Sequence, residues 1–237
     1  MKSHTPKQFL EVNGKPIILY TIEEFDRHPM VDAIVVVCLE GWIKKLRMIV
    51  ARNGLDKVVK IVKGGEEGQQ SIYNGLIAAR EWLKEQAENA CVTENDNIVL
   101  VHDSVRPMVS EELITQNINN VETYGNSITV APPTETFIVS ENNSHRLYNR
   151  KDVHVVRAPQ CFRLTDIINL HERAIIDGKK GYKDCCSMLC EYDIPFYETL
   201  GDNLNIKITY PTDIIMFRSL LLYREMQQVI NVPNVTQ

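Results

Sequence analysis

Residues 97–107 read Asn97-Ile98-Val99-Leu100-Val101-His102-Asp103-Ser104-Val105-Arg106-Pro107, an apolar run that leads straight into an acid and an arginine and is stopped by a proline. The run fits a strand buried on both faces of a parallel sheet, and such sheets take ligands beyond the carboxyl ends of their strands. Asp103 falls at that end. A hard carboxylate there can hold Mg²⁺ on a nucleotide's phosphates, while Arg106 can pair with the acid or brace the loop. A turn-forming aspartate beside a surface arginine accounts for the same residues.

Three more cations stand at breaks in regular structure: Lys7 after Pro6, Arg150 near the end of an apolar-poor stretch, and Lys207 between Ile206 and Ile208. A lysine pointing inward from an apolar strand needs a counter-charge, because an unpaired buried cation is costly. A phosphate would supply one. The alternative for Lys207 is an edge-strand lysine that discourages aggregation. Gly64-Gly65-Glu66-Glu67-Gly68-Gln69-Gln70-Ser71 joins a strand to a helix. Its paired glycines let backbone approach a flat ligand, and Ser71 can offer a hydroxyl to a base edge. The segment matches neither the dinucleotide fingerprint nor the P-loop, and a tight turn before a capped helix also explains it.

Strand-like runs alternate with helical periods through most of the chain, which predicts an α/β fold with crossover helices on a mostly parallel sheet. Strands are expected at 33–38, 57–62 and up to Val101, with helices over 42–53 and 69–85 between them. Ser110 should cap a helix that Gly125 closes, before a strand over 127–131. Residues 134–156 offer short strand-like pieces around the turn Glu141-Asn142-Asn143-Ser144 and almost no apolar residues of their own. This stretch reads as a β-hairpin arm or as a solvated loop. A lone hairpin is marginal in water, so an arm of this kind is expected to pack on a partner subunit. Helices over 164–176 and 184–191, a strand at 196–200, a strand or strand end at 205–209, and a final helix beginning at Pro211 complete the expectation.

The chain has 237 residues, 24% of them charged and 44% hydrophobic, with a formal charge of −5. That balance argues against nonspecific nucleic-acid binding. No apolar run reaches the roughly 18 residues of a membrane helix, and the first residues lack a signal-peptide core. A cytoplasmic protein is the simplest expectation. The six cysteines show no paired C-x-x-C spacing, and Cys186 and Cys190, one helical turn apart, read as small buried hydrophobes rather than ligands.

Together, five ordered motifs resemble the cytidylyltransferases that act on 2-C-methyl-D-erythritol 4-phosphate and on ribitol 5-phosphate. They are Pro6-Lys7-Gln8-Phe9-Leu10, the Gly64-Gly65 loop with Ser71 and Asn74-Gly75-Leu76, and His102-Asp103-Ser104-Val105-Arg106-Pro107, followed by Ala158-Pro159-Gln160-Cys161-Phe162 and Asn205-Ile206-Lys207-Ile208-Thr209 with Pro211 and Asp213. The resemblance implies a Rossmann-like nucleotidyltransferase domain over 1–230, a β-arm over 134–156 that completes the neighbouring site of a homodimer, and a tail over 231–237. It also implies that Lys7 binds CTP phosphates and that Asp103 helps to hold Mg²⁺. Gly64, Gly65, Glu66 and Ser71 would surround the cytosine. Arg106, Thr136 and Lys207 would then bind the sugar-alcohol phosphate, joined by Arg150 from the other subunit.

Three departures from the pattern stand out. Family members open with an apolar strand and a glycine-rich loop that ends in a methionine, of which only Met1 corresponds here, so that strand and loop are expected to be missing. Gly68 stands where an arginine is common, and Ala158 where a threonine often lines the acceptor pocket. The first expectation is CMP transfer from CTP to methylerythritol phosphate. Ribitol 5-phosphate is the alternative acceptor, and a noncatalytic nucleotide-binding dimer partner is the alternative class.

Overall fold

The computed structural model describes residues 5–87, 97–141 and 144–230. In chain order its strands and helices are β1 (Glu11–Val12), β2 (Lys15–Pro16), α1 (Ile17–Arg27), β3 (Ile34–Cys38), α2 (Ile43–Arg52), β4 (Val58–Lys63), α3 (Gly68–Ala87), β5 (Ile98–Val101), α4 (Glu111–Tyr124) and β6 (Asn126–Ala131). They continue with β7 (Ile138–Glu141), β8 (Ser144–Leu147), β9 (Val155–Arg163), α5 (Leu164–Ile176), α6 (Cys185–Glu191), β10 (Glu198–Leu200) and α7 (Pro211–Ile230). The expected connection over 88–96 and the expected tail over 231–237 lie outside the described residues.

The sheet falls into two parts. β3 and β4 pair in parallel, and β10-β6-β9-β5 form a four-stranded sheet in that order. β10 and β6 run parallel, as expected, but β9 lies antiparallel between β6 and β5. A mostly parallel sheet therefore gives way to a mixed one at its centre. Val155 and Val156, assigned by sequence to the arm, instead pair with Ala131 and Val130. The arm hairpin itself is shorter, β7 against β8, and every residue of both strands is exposed.

Local sequence explains several elements that frame the site. The short β1–β2 hairpin turns on Asn13 and Gly14, with φ of 52° and 76°, as a two-residue turn with both central residues left-handed requires. The α1 helix follows at once and turns Ile17, Ile18, Ile22 and Phe25 inward. Ser110 caps α4 by accepting a hydrogen bond from Leu113 N, and Gly125 ends it at φ 85°. Asp184 caps α6 in the same way through Ser187 N. On α6, Cys186 is buried as expected, but Cys190 is exposed.

Residues 205–209 form no regular strand. They run extended, tied at 2.9 Å by Ile208 N donating to Val105 O. Ile208, Val105 and Met108 bury with Val12, Ile17 and Phe217 in one apolar cluster, which fastens the loop after β5 to the first hairpin and to α7. Among the described residues no helix is long and apolar enough to cross a membrane.

Candidate active site

Asp103 leaves the carboxyl end of β5 in a turn closed by Arg106 N donating to Asp103 O at 3.0 Å. The α1 helix clamps this turn, with Thr21 Oγ1 donating to Ser104 O at 3.0 Å. Arg106 Nε donates to Asp103 Oδ2 at 2.9 Å and its Nη1 to the Asn205 carbonyl at 2.9 Å. The Arg106 guanidinium thus does both tasks left open by sequence: it pairs with the acid and braces the loop. Lys207 Nζ meets Asp103 Oδ1 at 2.7 Å. Lys207 is not an inward-pointing buried lysine, since its side chain is 44% exposed; Ile208 faces inward instead. Its counter-charge in the free protein is Asp103.

Electrostatics bind Lys7 to the same corner. Burial and then the nearby Lys207 charge lower the Lys7 ammonium, while Asp103 and Asp213 pull it up. Burial pushes the Asp103 carboxyl up, but the hydrogen bond and charge of Lys207, with those of Arg106, outweigh it and leave the carboxyl below its ordinary value. Asp213 is already occupied, since its Oδ2 accepts from Thr209 N and Tyr210 N, both at 2.7 Å. The corner thus gathers three side-chain cations around one half-buried carboxylate and has capacity to spare for an anion.

Asn205 and Arg157 belong to this corner and were not singled out from sequence. Arg157 Nη1 donates to Asn205 O at 3.0 Å, sharing that carbonyl with Arg106, while Asn205 Nδ2 donates to Ala158 O at 2.7 Å. Burial and then the Arg106 charge lower the Arg157 guanidinium. The available signal was the position of Arg157 directly before Ala158-Pro159, but alternation along a strand does not reveal which loop it will meet.

The Gly64-Gly65 turn lies across the same cavity as Asp103, which is lined by Gly64, Gly65, Ser71 and Asp103 among others. Ser71 Oγ accepts from Gly65 N and donates to Glu67 O, each at 3.0 Å, and Glu66 N donates to Gln70 Oε1 at 3.0 Å. Ser71 therefore shapes the turn, and its hydroxyl keeps one acceptor site for a ligand. A side chain at Gly65 would run into Gln70, with its Cβ 2.4 Å from Gln70 Cγ.

Thr136 and Arg150 do not join the corner. Thr136 is exposed on the approach to the arm, and Arg150 Nη2 donates to Pro133 O at 3.2 Å. For a metal, the donor set allows one reading. Among the described residues no three His, Cys, Asp or Glu side chains gather as a cage. Asp103 retains lone pairs on oxygens that already face two cations, and it would be the residue to hold a Mg²⁺ brought in on phosphates.

The chain is similar to known proteins in sequence and in fold. The chain is 38% identical over 229 residues to a ribitol-5-phosphate cytidylyltransferase of Vibrio parahaemolyticus, covering 96% of this chain and 92% of that protein. A 2-C-methyl-D-erythritol 4-phosphate cytidylyltransferase of Clostridium botulinum is 35% identical, covering 93% and 91%. In fold the chain is similar to the crystal structure of 4-diphosphocytidyl-2C-methyl-D-erythritol synthase from Anaerococcus prevotii, with a TM-score of 0.76 at 24% identity over 90% of this chain and 88% of that one. Residues 1–222 match the family described as IspD, 2-C-methyl-D-erythritol 4-phosphate cytidylyltransferase, and the chain that carries this corner therefore belongs to that family.

Proposed function

We propose that the protein transfers CMP from CTP to the phosphate of a sugar alcohol and releases pyrophosphate. The convergence of Lys7, Arg106 and Lys207 on Asp103 carries this reading, because the reaction brings two anions together and needs cations more than a base. A phosphate monoester has a second pKa near ~6, so at neutral pH it is mostly dianionic. Its oxygen forms a bond to the α-phosphorus of CTP, the bond from that phosphorus to the bridging oxygen breaks, and pyrophosphate leaves with the electron pair.

Lys7 screens the CTP phosphates in this scheme. Lys207 and Arg106 draw the acceptor phosphate in, Lys207 turning from Asp103 toward it, and Arg157 adds charge to the same wall. Gly64, Gly65, Glu66 and Ser71 receive the cytosine. Mg²⁺ held through Asp103 would neutralise charge on the phosphates when bound. Thr136 and Arg150, which do not join the corner of their own chain, act on the acceptor from the arm of a second copy. The exposed apolar residues of the arm, Ile138, Val139 and Leu147, support that homodimer. Dependence on CTP supports a cytoplasmic location.

We place ribitol 5-phosphate ahead of methylerythritol phosphate as acceptor. Ala158 offers no hydroxyl, and the ribitol-directed relative is 38% identical against 35% for the methylerythritol-directed one. Pyrophosphate release from CTP and Mg²⁺, measured with ribitol, methylerythritol and glycerol phosphates, tests the reading. Release with ribitol 5-phosphate well above the other two is expected. Preference for methylerythritol phosphate would reverse the acceptor assignment. CTP binding without release on any acceptor would replace the enzyme by a noncatalytic nucleotide-binding partner.

A further inference from the structure

Arg157 carries a charge that no carboxylate among the described residues pairs with at close range. Its Nη1 donates to Asn205 O at 3.0 Å and its Nη2 to Asn203 Oδ1 at 3.1 Å. The neighbouring Arg106 already serves Asp103 and leans on the same Asn205 carbonyl. Two guanidiniums thus share one neutral oxygen, with Asp202 near enough to pull Arg157 up but not bonded to it. Asp202 spends its Oδ1 on Leu204 N at 2.9 Å and Asn205 N at 3.0 Å, and its Oδ2 accepts from none of the described residues. Two buried polar atoms also lack a partner among the described residues, the donor Nε of Arg157 and the acceptor Oδ1 of Asn205. Buried polar atoms without partners are uncommon and call for a reason. Open donors beside open acceptors suit a group that can do both, and a hydroxyl is such a group.

The place of this patch says which hydroxyls it meets. Asp103 lines the cavity of Gly64, Gly65 and Ser71, whereas Arg157, Asn203 and Asn205 do not, so they flank the corner outside the proposed cytosine pocket. Asp202 and Asn203 are exposed and Arg157 is half-buried, which leaves the patch open to a ligand. We propose that Arg157 and Asn203, with Asp202 Oδ2, read the far hydroxyls of the acceptor and select a linear polyol phosphate longer than glycerol phosphate. This deepens the proposed transfer reaction and rests on it. With the reacting phosphate at Lys207 and Arg106, the carbon chain of the acceptor leaves away from CTP, because the nucleotide fills the cavity side. Arg157 joins the corner through the Asn205 carbonyl and, among the described residues, makes no bond to Asp103, so the far carbons reach it and those next to the phosphate do not. Its planar fork can span two neighbouring hydroxyls while Asp202 Oδ2 accepts from one of them. Ala158, next in sequence, has no hydroxyl, and its carbonyl is taken by Asn205 Nδ2 at 2.7 Å, which leaves the donating to Arg157.

Pyrophosphate release by the whole chain, measured with ribitol 5-phosphate and with glycerol 3-phosphate, tests the subsite in wild type, Arg157→Gln, Arg157→Lys and Asn203→Ala. Arg157→Gln should raise KM for ribitol 5-phosphate about tenfold, leave KM for CTP within about twofold, and shrink the preference for ribitol over glycerol phosphate. Arg157→Lys keeps the charge without the fork and should recover only a minor part of that preference. Asn203→Ala changes an exposed side chain, so the fold is kept, and should raise the same KM about threefold. A brace that merely held Lys207 in place would weaken both acceptors alike. An equal loss on the two acceptors, an unchanged KM for ribitol 5-phosphate, or a wild type that prefers glycerol phosphate overturns the subsite. Calorimetry of ribitol 5-phosphate into protein holding CTP, with Mg²⁺ removed by EDTA, separates this inference from the reaction it rests on. Binding about tenfold weaker in Arg157→Gln than in wild type supports the subsite, and with no turnover in wild type it would overturn the transfer reading alone. Equal binding by the two proteins overturns the subsite and leaves the reaction standing.

Discussion

Arg106 and Lys207 each bind Asp103, whereas all eight strand residues of β7 and β8 stand exposed. Both regions carry proposed site residues. The corner after β5 is organised by its own chain, since α1, the first hairpin, α7 and the 205–208 segment all hold it. The arm holds Arg150 by one hydrogen bond to Pro133 O and shows Ile138, Val139 and Leu147 to solvent. On the proposed reading, half of the site is thus built within the chain. The other half is the part that the same proposal gives to a neighbour.

The sharpest way to break this contrast is to disable one half in each of two subunits. Lys7→Ala and Arg150→Ala should each lower turnover about a hundredfold to a thousandfold, equivalent to about 2.7–4 kcal/mol of lost transition-state stabilisation, with the fold kept. Mixing the two unfolded variants and refolding them together should restore about a quarter of wild-type activity, because a random mixed dimer has one intact site. Restoration by dilution-insensitive amounts near zero would place Arg150 in its own subunit's site or outside the chemistry.

Acid sharpens the contrast next, because the corner contains a buried histidine. Burial lowers both His102 and His171, each to about 4. A depressed folded-state pKa means that the unfolded chain takes up a proton that the folded chain refuses. Stability is then complete above the ordinary histidine range near ~6.5 and declines as pH falls toward about 4, by on the order of 3 kcal/mol for each group. Urea unfolding at pH 7 and pH 5 measures it. His171, buried against Tyr73 with neither ring nitrogen partnered among the described residues, provides the control. His171→Phe should remove a share of the acid loss and leave the corner's share in place. An unchanged pH profile would show that His171 finds a proton acceptor or donor in solution.

The smallest effect belongs to the arm. Leu147→Asp should change subunit stability by no more than about 0.5 kcal/mol, since Leu147 is 66% exposed, yet should weaken self-association in sedimentation. A large loss of subunit stability instead would show that the arm packs on its own chain.

Much of the local structure was legible because it depends on neighbours in sequence. Ser110 and Gly125 bound α4, Asp184 starts α6, and β5 runs directly into Asp103. Capping, glycine at positive φ and apolar periodicity act over a few residues, and these the chain specifies alone. The short hairpin at Asn13-Gly14 obeys the same kind of rule but was not among the elements expected from the sequence.

Which cations share a site, and how the sheet is ordered, depended on tertiary structure. Arg106 and Asn205 meet across 99 residues, and nothing near either one in sequence requires it. β9 inserts antiparallel between β5 and β6 because pairing partners are chosen by packing across the whole sheet, and that choice placed Arg157 beside Asn205 and took 155–156 out of the arm. Lys207 owes its role to the same long-range assembly: an extended segment docked on Val105 carries its ammonium to Asp103, where alternation alone had turned it inward. Side-chain type and spacing named the charges of this protein. Only the folded chain could bring them within reach of one another, since Coulomb attraction and strand pairing depend on distance in space and not along the sequence.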